Sequence, residues 1–353
     1  MVFETALYVK SRYHSSAMTP QFVAEPFFMP ESEELRFLPE GPRVLQNYPG
    51  SGLNLGWVAI QHAAGSSEGS INVLDLVSRT NTTFPVKGRP GFFAETALPG
   101  VVLVGMEHQL IYVDLLTGDA GETIAHIDAD PSVIINDGLA VEGGVLFGTK
   151  HLKFCEPVAA LYYFDFETRK VHTVLDRQIC SNGKFLRRDS EGATLIDVDT
   201  IPKKISRYRL DSSLEHVLES SLIKPAESLP ALPDGMRPSP QCHDEPEGAS
   251  VVVAYYNPDD VVDGLAQQIR LSDGAILVEW MIPGSPRVTC PEFVKIEGGV
   301  RLLFTTAVEG MPSATRQRAV GCGGFYIAKT PFAEIPTPPP LVPMGVQPPS
   351  GRG

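Results

Sequence analysis

The chain has 353 residues, 43% of them hydrophobic, enough for a sizeable core in one large domain or two. Its 32 glycines and 31 prolines leave little room for long helices and favour many short strands joined by turns. The net charge of −13 argues against a nucleic-acid surface, and no apolar run is long enough to predict a membrane span.

Residues 1–18 read as an irregular N-terminal arm, with a strand over "ALYVKSRY" (from Ala6) as the alternative. They lack the basic start and apolar stretch of a secretory signal, so a cytoplasmic protein is expected. Five scattered cysteines, with no C-x-x-C, fit reduced thiols in that compartment rather than a zinc–thiolate site.

Further along, one pattern recurs. "GSINVLDL" (from Gly69) alternates apolar and polar residues, and so do "QLIYVDLLTG" (from Gln109) and "ALYYFDFETR" (from Ala160). "KISRYRLDSS" (from Lys204), "QQIRLSDG" (from Gln267) and "GFYIAKTP" (from Gly324) complete the set. Period-2 alternation closing on Asp, Thr, Ser or Gly predicts a strand entering a turn. Six copies at a spacing of roughly 40–60 residues predict a six-bladed β-propeller, with a sandwich or irregular barrel as the alternative. The closing "IPTPPPLVPMGVQPPSGRG" is Pro/Gly-rich and almost uncharged, and reads as a disordered tail over 333–353. The propeller is thus expected over 19–332.

In a propeller, the loops leading into the innermost strands open onto one end of a central channel. "INDG" (Asn136), "SNG" (Asn182) and "PDGM" (Asp234) fit that position, roughly 50 residues apart, about one blade each. The prolines of "PALPDGMRPSP" forbid a helix or central strand there and stiffen the approach to Asp234. Asp199, only one hairpin beyond Asn182, reads as a turn residue. "GSSEG" (Gly65–Gly69) has the G-x-S-x-G spacing of a serine nucleophile, but it links two strand-like runs instead of a strand and a helix, so Ser67 reads as a turn residue.

These motifs resemble the senescence-marker-protein/gluconolactonase/regucalcin-like family. The resemblance runs from about Ala24 to Phe332. It rests on "EPFFMPESEELRF" at Glu25, "NDG" at Asn136 with "FGT" at Phe147–Thr149, "SNG" at Asn182 followed by "IDVDTIPKKISRYRLD", "PDGM" at Pro233, and "GCGGFYI" at Gly321–Ile327. It implies a six-bladed propeller with one divalent cation in the channel, held by Glu25, Asn182 and Asp234. Asn136 would contact substrate beside the metal, and Asp234 would double as the base that helps activate water. Glu40 of "LPEGP" is the rival for the first ligand. Glu25 is preferred because a strand-like run follows it, whereas "RVLQNYPGSG" breaks soon after Glu40. That choice requires an insertion within 39–69. Two carboxylates and an amide oxygen are hard ligands that suit Ca²⁺ first, with Mg²⁺, Mn²⁺ or Zn²⁺ also compatible.

The resemblance implies a metal-dependent hydrolase of a lactone or related cyclic ester. The alternatives are a non-enzymatic calcium-binding propeller and a phosphotriesterase-like hydrolase. Ile134 stands where lactonases of the family commonly carry a sugar-contacting Arg, so the substrate is expected to differ from gluconolactone. Lys150, His151 and Lys153 follow the "GT" where regucalcin-type members carry an acid. His151 and Lys153 are taken as substrate contacts, and Lys150 or Lys153 as the partner of an anionic group. The expected partner is a small molecule, with no nucleic acid and no membrane.

Overall fold

The computed structural model describes residues 19–240, 242 and 248–344. The arm read over 1–18 and the last nine residues of the tail lie outside them. Two short strands open the described chain, β1 (Gln21–Val23) and β2 (Glu25–Phe28), followed by a one-turn helix, α1 (Glu33–Phe37). Ser32 caps α1, its hydroxyl accepting from the Leu35 amide at 3.2 Å.

Six four-stranded antiparallel sheets follow. Blade one is β3 (Pro39–Val44), β4 (Asn54–Ala59), β5 (Gly69–Asp75) and β6 (Asn81–Val86). Blade two is β7 (Pro90–Glu95), β8 (Val101–Met106), β9 (Gln109–Asp114) and β10 (Ala120–His126). Blade three is β11 (Val133–Val141), β12 (Gly144–His151), β13 (Ala159–Asp165) and β14 (Val171–Gln178). Blade four is β15 (Ser181–Asp189), β16 (Gly192–Asp199), β17 (Lys204–Leu210) and β18 (Val217–Lys224). Blade five is β19 (Leu232–Pro238), β20 (Ser250–Tyr256), β21 (Gly264–Arg270) and β22 (Ile276–Ile282). Blade six has β23 (Val288–Ile296), β24 (Gly299–Thr306) and, after helix α2 (Ser313–Arg318), β25 (Phe325–Lys329).

All six alternating segments fall on the third strand of a blade: β5, β9, β13, β17, β21 and β25. Their closing aspartates act as the pattern predicts. The Asp75 carboxylate accepts from the Val77 and Ser78 amides, and Asp165 from Glu167 and Thr168, all at 2.8 Å. Third strands such as β5 and β9 are nonetheless buried on both faces, because each sheet packs between two neighbours. Apolar clusters fill the interfaces. One joins Val58 and Ile71 of blade one to Val104 and Ile111 of blade two, and another sets Leu55 and Trp57 of blade one against Val294 and Phe325 of blade six. The ring is therefore closed.

Closure uses the N-terminus. β2 supplies the fourth, outermost strand of blade six, pairing antiparallel with β25 (Glu25 opposite Ile327). β1 adds a fifth strand to blade five, parallel to β22. Both cover edges that would otherwise expose unpaired backbone.

The segment after β25 corrects the expectation of a disordered tail from residue 333. Residues 333–344 run from blade six across one end of the channel to blade two. There the Val342 amide donates to the Glu95 carbonyl at 2.8 Å and its own carbonyl accepts from Ala97 at 2.9 Å. Val342 is buried against Phe92, Leu103 and Phe147, which supplies the apolar burial that composition alone did not promise. No helix among the described residues is long and apolar enough to cross a membrane.

Candidate functional site

The innermost strands are β3, β7, β11, β15, β19 and β23, and each carries a break in register near its start. The breaks lie between Glu40 and Arg43, Pro90 and Phe92, Ile135 and Gly138, Ser181 and Lys184, Pro233 and Met236, and Val288 and Cys290. A β-bulge re-aims the side chains on its strand, and six at one level give a ring of re-aimed residues around the axis. Asn136, Asn182 and Asp234 occupy this level in blades three, four and five, as their spacing predicts. Glu40 is its member from blade one.

Glycines allow the inner strands to meet here. A Cβ on Gly91 would lie 2.4 Å from the Asn136 carbonyl oxygen, and one on Gly235 would lie 2.7 Å from that of Thr289. Gly41 at φ +54 gives the blade-one bulge its left-handed residue.

Asp234 and both asparagines are buried, and Glu40 is half-buried. Asn136 donates its amide to the Ser181 carbonyl at 3.0 Å, and Asn182 donates to Thr200 Oγ1 at 3.1 Å. Both amide nitrogens also sit 3.8 Å from Cys180 Sγ. With their nitrogens committed, the asparagines offer oxygen to a ligand.

Burial holds the Asp234 carboxyl well above the usual range, and the neighbouring Glu40 raises it further. Burial, then Asp137, pushes Glu40 up to about 8, while the Lys150 ammonium pulls both groups back. Glu309, on the loop after β24, adds to the negative field on both. Two crowded carboxyls with amide oxygens beside them form a donor set that a divalent cation fits, because it removes the like-charge repulsion. Lys150 is the positive charge already facing that field.

Glu25 does not join this group. It is exposed on β2, the outermost strand of blade six, opposite Ile327. The preference for Glu25 over Glu40 is therefore corrected. "EGP" needs no long run behind it, because Gly41 and Pro42 are themselves the bulge of the short inner strand β3. No insertion in the first blade is required.

Of the other expected contacts, His151 is buried and its Nδ1 accepts from the Cys155 and Glu156 amides at 3.2 and 3.0 Å. That holds the 152–158 loop in place through one ring nitrogen, so a substrate contact by His151 would have to use Nε2. His151, Cys155 and Glu156 bring ligand-type atoms within 4.8 Å of one another, but the Nδ1 lone pair already serves those two amides. Lys153 is exposed on the same loop. Lys150 is buried at the end of β12, its Nζ 5.9 Å from the Phe154 ring centroid. Asp199 is buried at the end of β16, accepting from the Cys180 amide at 3.0 Å and also from Ile179. It fixes the entry to β15, which is more than a turn role. Ser67 lies on the loop between β4 and β5, with no following helix.

One level deeper, the channel carries ion pairs between blades that no local motif announces. Lys184 donates to Asp137 at 2.9 Å, and Arg237 to Glu292 at 2.8 Å. Burial opposes the Asp137 charge, but Lys184 and Arg237 outweigh it and hold this carboxyl below its ordinary value. Nearby Asp197 is buried beside Gln178 Nε2 at 2.6 Å. Burial pushes it up to about 7, Lys184 opposes that, and Asp199 adds to it. The folded protein therefore keeps a proton that the unfolded chain releases near the ordinary aspartate value of 3.8, so stability falls as pH rises through this window and is level above it. Asp197→Asn should remove the slope. We expect it to be about 2 kcal/mol more stable than wild type at pH 8 and equal to it at pH 4, read by urea unfolding.

The matching family decides the identity. The chain matches the SMP-30/gluconolactonase/LRE-like region over residues 38–308. It belongs to that family. Among solved structures, it is similar to the calcium-binding protein regucalcin from Agrobacterium tumefaciens, at 18% identity and a TM-score of 0.71, covering 94% of this chain and 100% of that one. A luciferin-regenerating enzyme is similar at 17% identity and a TM-score of 0.71, with 91% and 100% covered. A gluconolactonase from Xanthomonas campestris is similar at 14% identity and a TM-score of 0.56, with 90% and 99% covered. At these identities the likeness concerns the fold. No curated protein sequence matches the chain. The relatives of this SMP-30/gluconolactonase-like protein thus include a named enzyme of lactone chemistry and a named calcium binder.

Proposed function

We propose that this protein is a metal-dependent hydrolase of a lactone or related cyclic ester, acting in the cytoplasm on a small molecule. Glu40, Asn182 and Asp234 would hold the divalent cation, with Ca²⁺ the first choice and Mg²⁺, Mn²⁺ or Zn²⁺ compatible with the same oxygen donors. The observation that carries the reading is the ring of bulges, which brings Glu40 and Asp234 into mutual repulsion beside the Asn136 and Asn182 amides. A divalent ion bound there would polarise an ester carbonyl and ease ionisation of water.

The side chains do the rest. Asn136, with its nitrogen anchored on Ser181, presents its oxygen to a substrate hydroxyl. Asp234 accepts the proton of the attacking water as the new C–O bond forms and the ring C–O bond breaks. The ring oxygen leaves as an alcohol, taking the proton that Asp234 accepted. Lys150, facing both carboxyls, favours their ionised form and is the group placed to meet an anionic substituent. Lys153 lies farther out on the rim.

Protein stripped with chelator and reloaded with Ca²⁺, Mg²⁺, Mn²⁺ or Zn²⁺ tests this on sugar, aromatic and aliphatic lactones by proton release. The expected result is hydrolysis that returns with metal and is absent in Asp234→Ala. Metal binding without turnover of any lactone would move the reading to a cation-binding propeller. Buried Ile134, where an arginine contact to sugar is missing, favours that second reading. For an anionic lactone, Lys150→Met should raise KM about tenfold, whereas Lys153→Ala should leave it within twofold.

A further inference from the structure

At the opposite end of the channel, the last turns of the inner strands surround a cavity of about 820 Å³. Residues 335–340, the Pro-rich strap described above, form part of its wall. Its charge is opposite to that of the molecule. Arg43, Lys184, Arg187, Arg188 and Arg237 line it. The only carboxylates among its lining residues are Glu142 and Glu292, a surplus of three positive charges in a protein whose net charge is −13.

The local ion pairs lower that surplus to two, because Asp137 from outside the lining pairs with Lys184, but they do not cancel it. Asp137 answers Lys184 and Glu292 answers Arg237, at 2.9 and 2.8 Å. Arg43 reaches Glu292 only at 3.9 Å, and burial together with neighbouring Arg237 pulls its guanidinium down to about 10. Arg187 has no ion pair among the described residues, and Asp189, two residues on, is held by Arg209 through two contacts of 2.7 Å. The remaining walls are apolar, from Val44, Leu139, Phe293 and Ile335 to the strap's prolines.

We propose that this cavity is a second ligand site, separate from the metal end of the channel, for a small organic carboxylate with an apolar body. The volume is that of a drug-sized pocket. A guanidinium matches a carboxylate bidentately, and two under-paired arginines suffice for one negative charge but not for a polyphosphate. The strap reaches this position because Val342 anchors it on blade two. A proline run holds an extended shape at little entropic cost, which suits a fixed roof.

Titration calorimetry with 2-naphthoate, and with 2-naphthamide as its neutral isostere, tests the site on full-length wild type, Arg43→Gln, Arg187→Gln and Asp234→Ala. The expected result is saturable one-to-one binding of naphthoate, at least tenfold tighter than the amide. Binding should weaken at least fivefold in each arginine variant and be unchanged in Asp234→Ala and in chelator-stripped protein. If Arg43→Gln lowers the melting temperature, Arg187→Gln, which breaks no ion pair, decides. No saturation into the millimolar range, equal binding of the amide, or naphthoate affinity unmoved in Arg187→Gln would each overturn the proposal. Binding lost in Asp234→Ala instead would assign the carboxylate to the metal end, a result that leaves the hydrolase reading standing.

Discussion

Glu40→Gln should lower metal-dependent lactone turnover by roughly 100-fold or more, while Glu25→Gln should change it less than twofold. The two glutamates separate cleanly because their environments are opposite. Glu40 shares a buried field with Asp234, Asp137 and Lys150, whereas Glu25 is exposed on the outermost strand of blade six. Removing the Glu40 charge takes one hard anionic donor from the proposed metal set and also removes the crowding of two carboxyls. The chelator-stripped Glu40→Gln protein should therefore be at least as stable as stripped wild type, although it binds the cation far more weakly. Loss of activity with loss of stability would mean simple damage. Equal loss in Glu25→Gln would mean that the bulge ring is not where the metal is held. Turnover and metal affinity, measured by proton release and calorimetry on the same preparations, check both arms.

How far the sequence could be read depended on where each signal was stored. The blades were legible because every third strand alternates and closes on a turn residue, as in Gly69–Asp75 and Ala159–Asp165. The levels of Asn136, Asn182 and Asp234 were legible because one-blade spacing recurs. Glu40 was misjudged because its strand is short and bulged. A pattern that looks for a run of alternating residues sees "EGPRV" as a break, when the break is the functional feature. Lys150 carried a sequence signal only as an odd charge after "GT". Glu309 carried none, since it reaches the site from a loop after β24. The strap was missed for a different reason. Composition reports whether a segment could build its own core, and Val342 borrows one from blades two and three. The deeper pairs, Lys184 with Asp137 and Arg237 with Glu292, join different blades, so no local pattern could announce them.

Gly183→Ala should be the most damaging small substitution at the site, costing about 3 kcal/mol of stability and at least roughly tenfold in metal affinity. An added Cβ there would lie 2.4 Å from Met236 Cβ, 2.6 Å from the Met236 amide nitrogen and 2.8 Å from the Asp234 carbonyl oxygen. Two of those atoms are backbone, so no side-chain rotation relieves the clash, and β15 must move away from β19. Asn182 precedes the glycine and Asp234 lies on the other strand, so the separation that relieves the clash also pulls apart two proposed ligands. Gly65→Ala is the matched control. Nothing lies within 4 Å of its added Cβ, and its φ of +77 costs only about 1 kcal/mol as backbone strain. Urea unfolding and metal titration of the pair separate the outcomes. Coupled losses in Gly183→Ala alone would tie strand spacing at the bulge ring to the geometry of the proposed metal set. A stability loss with unchanged metal affinity would show that the cation is held by residues other than Asn182 and Asp234.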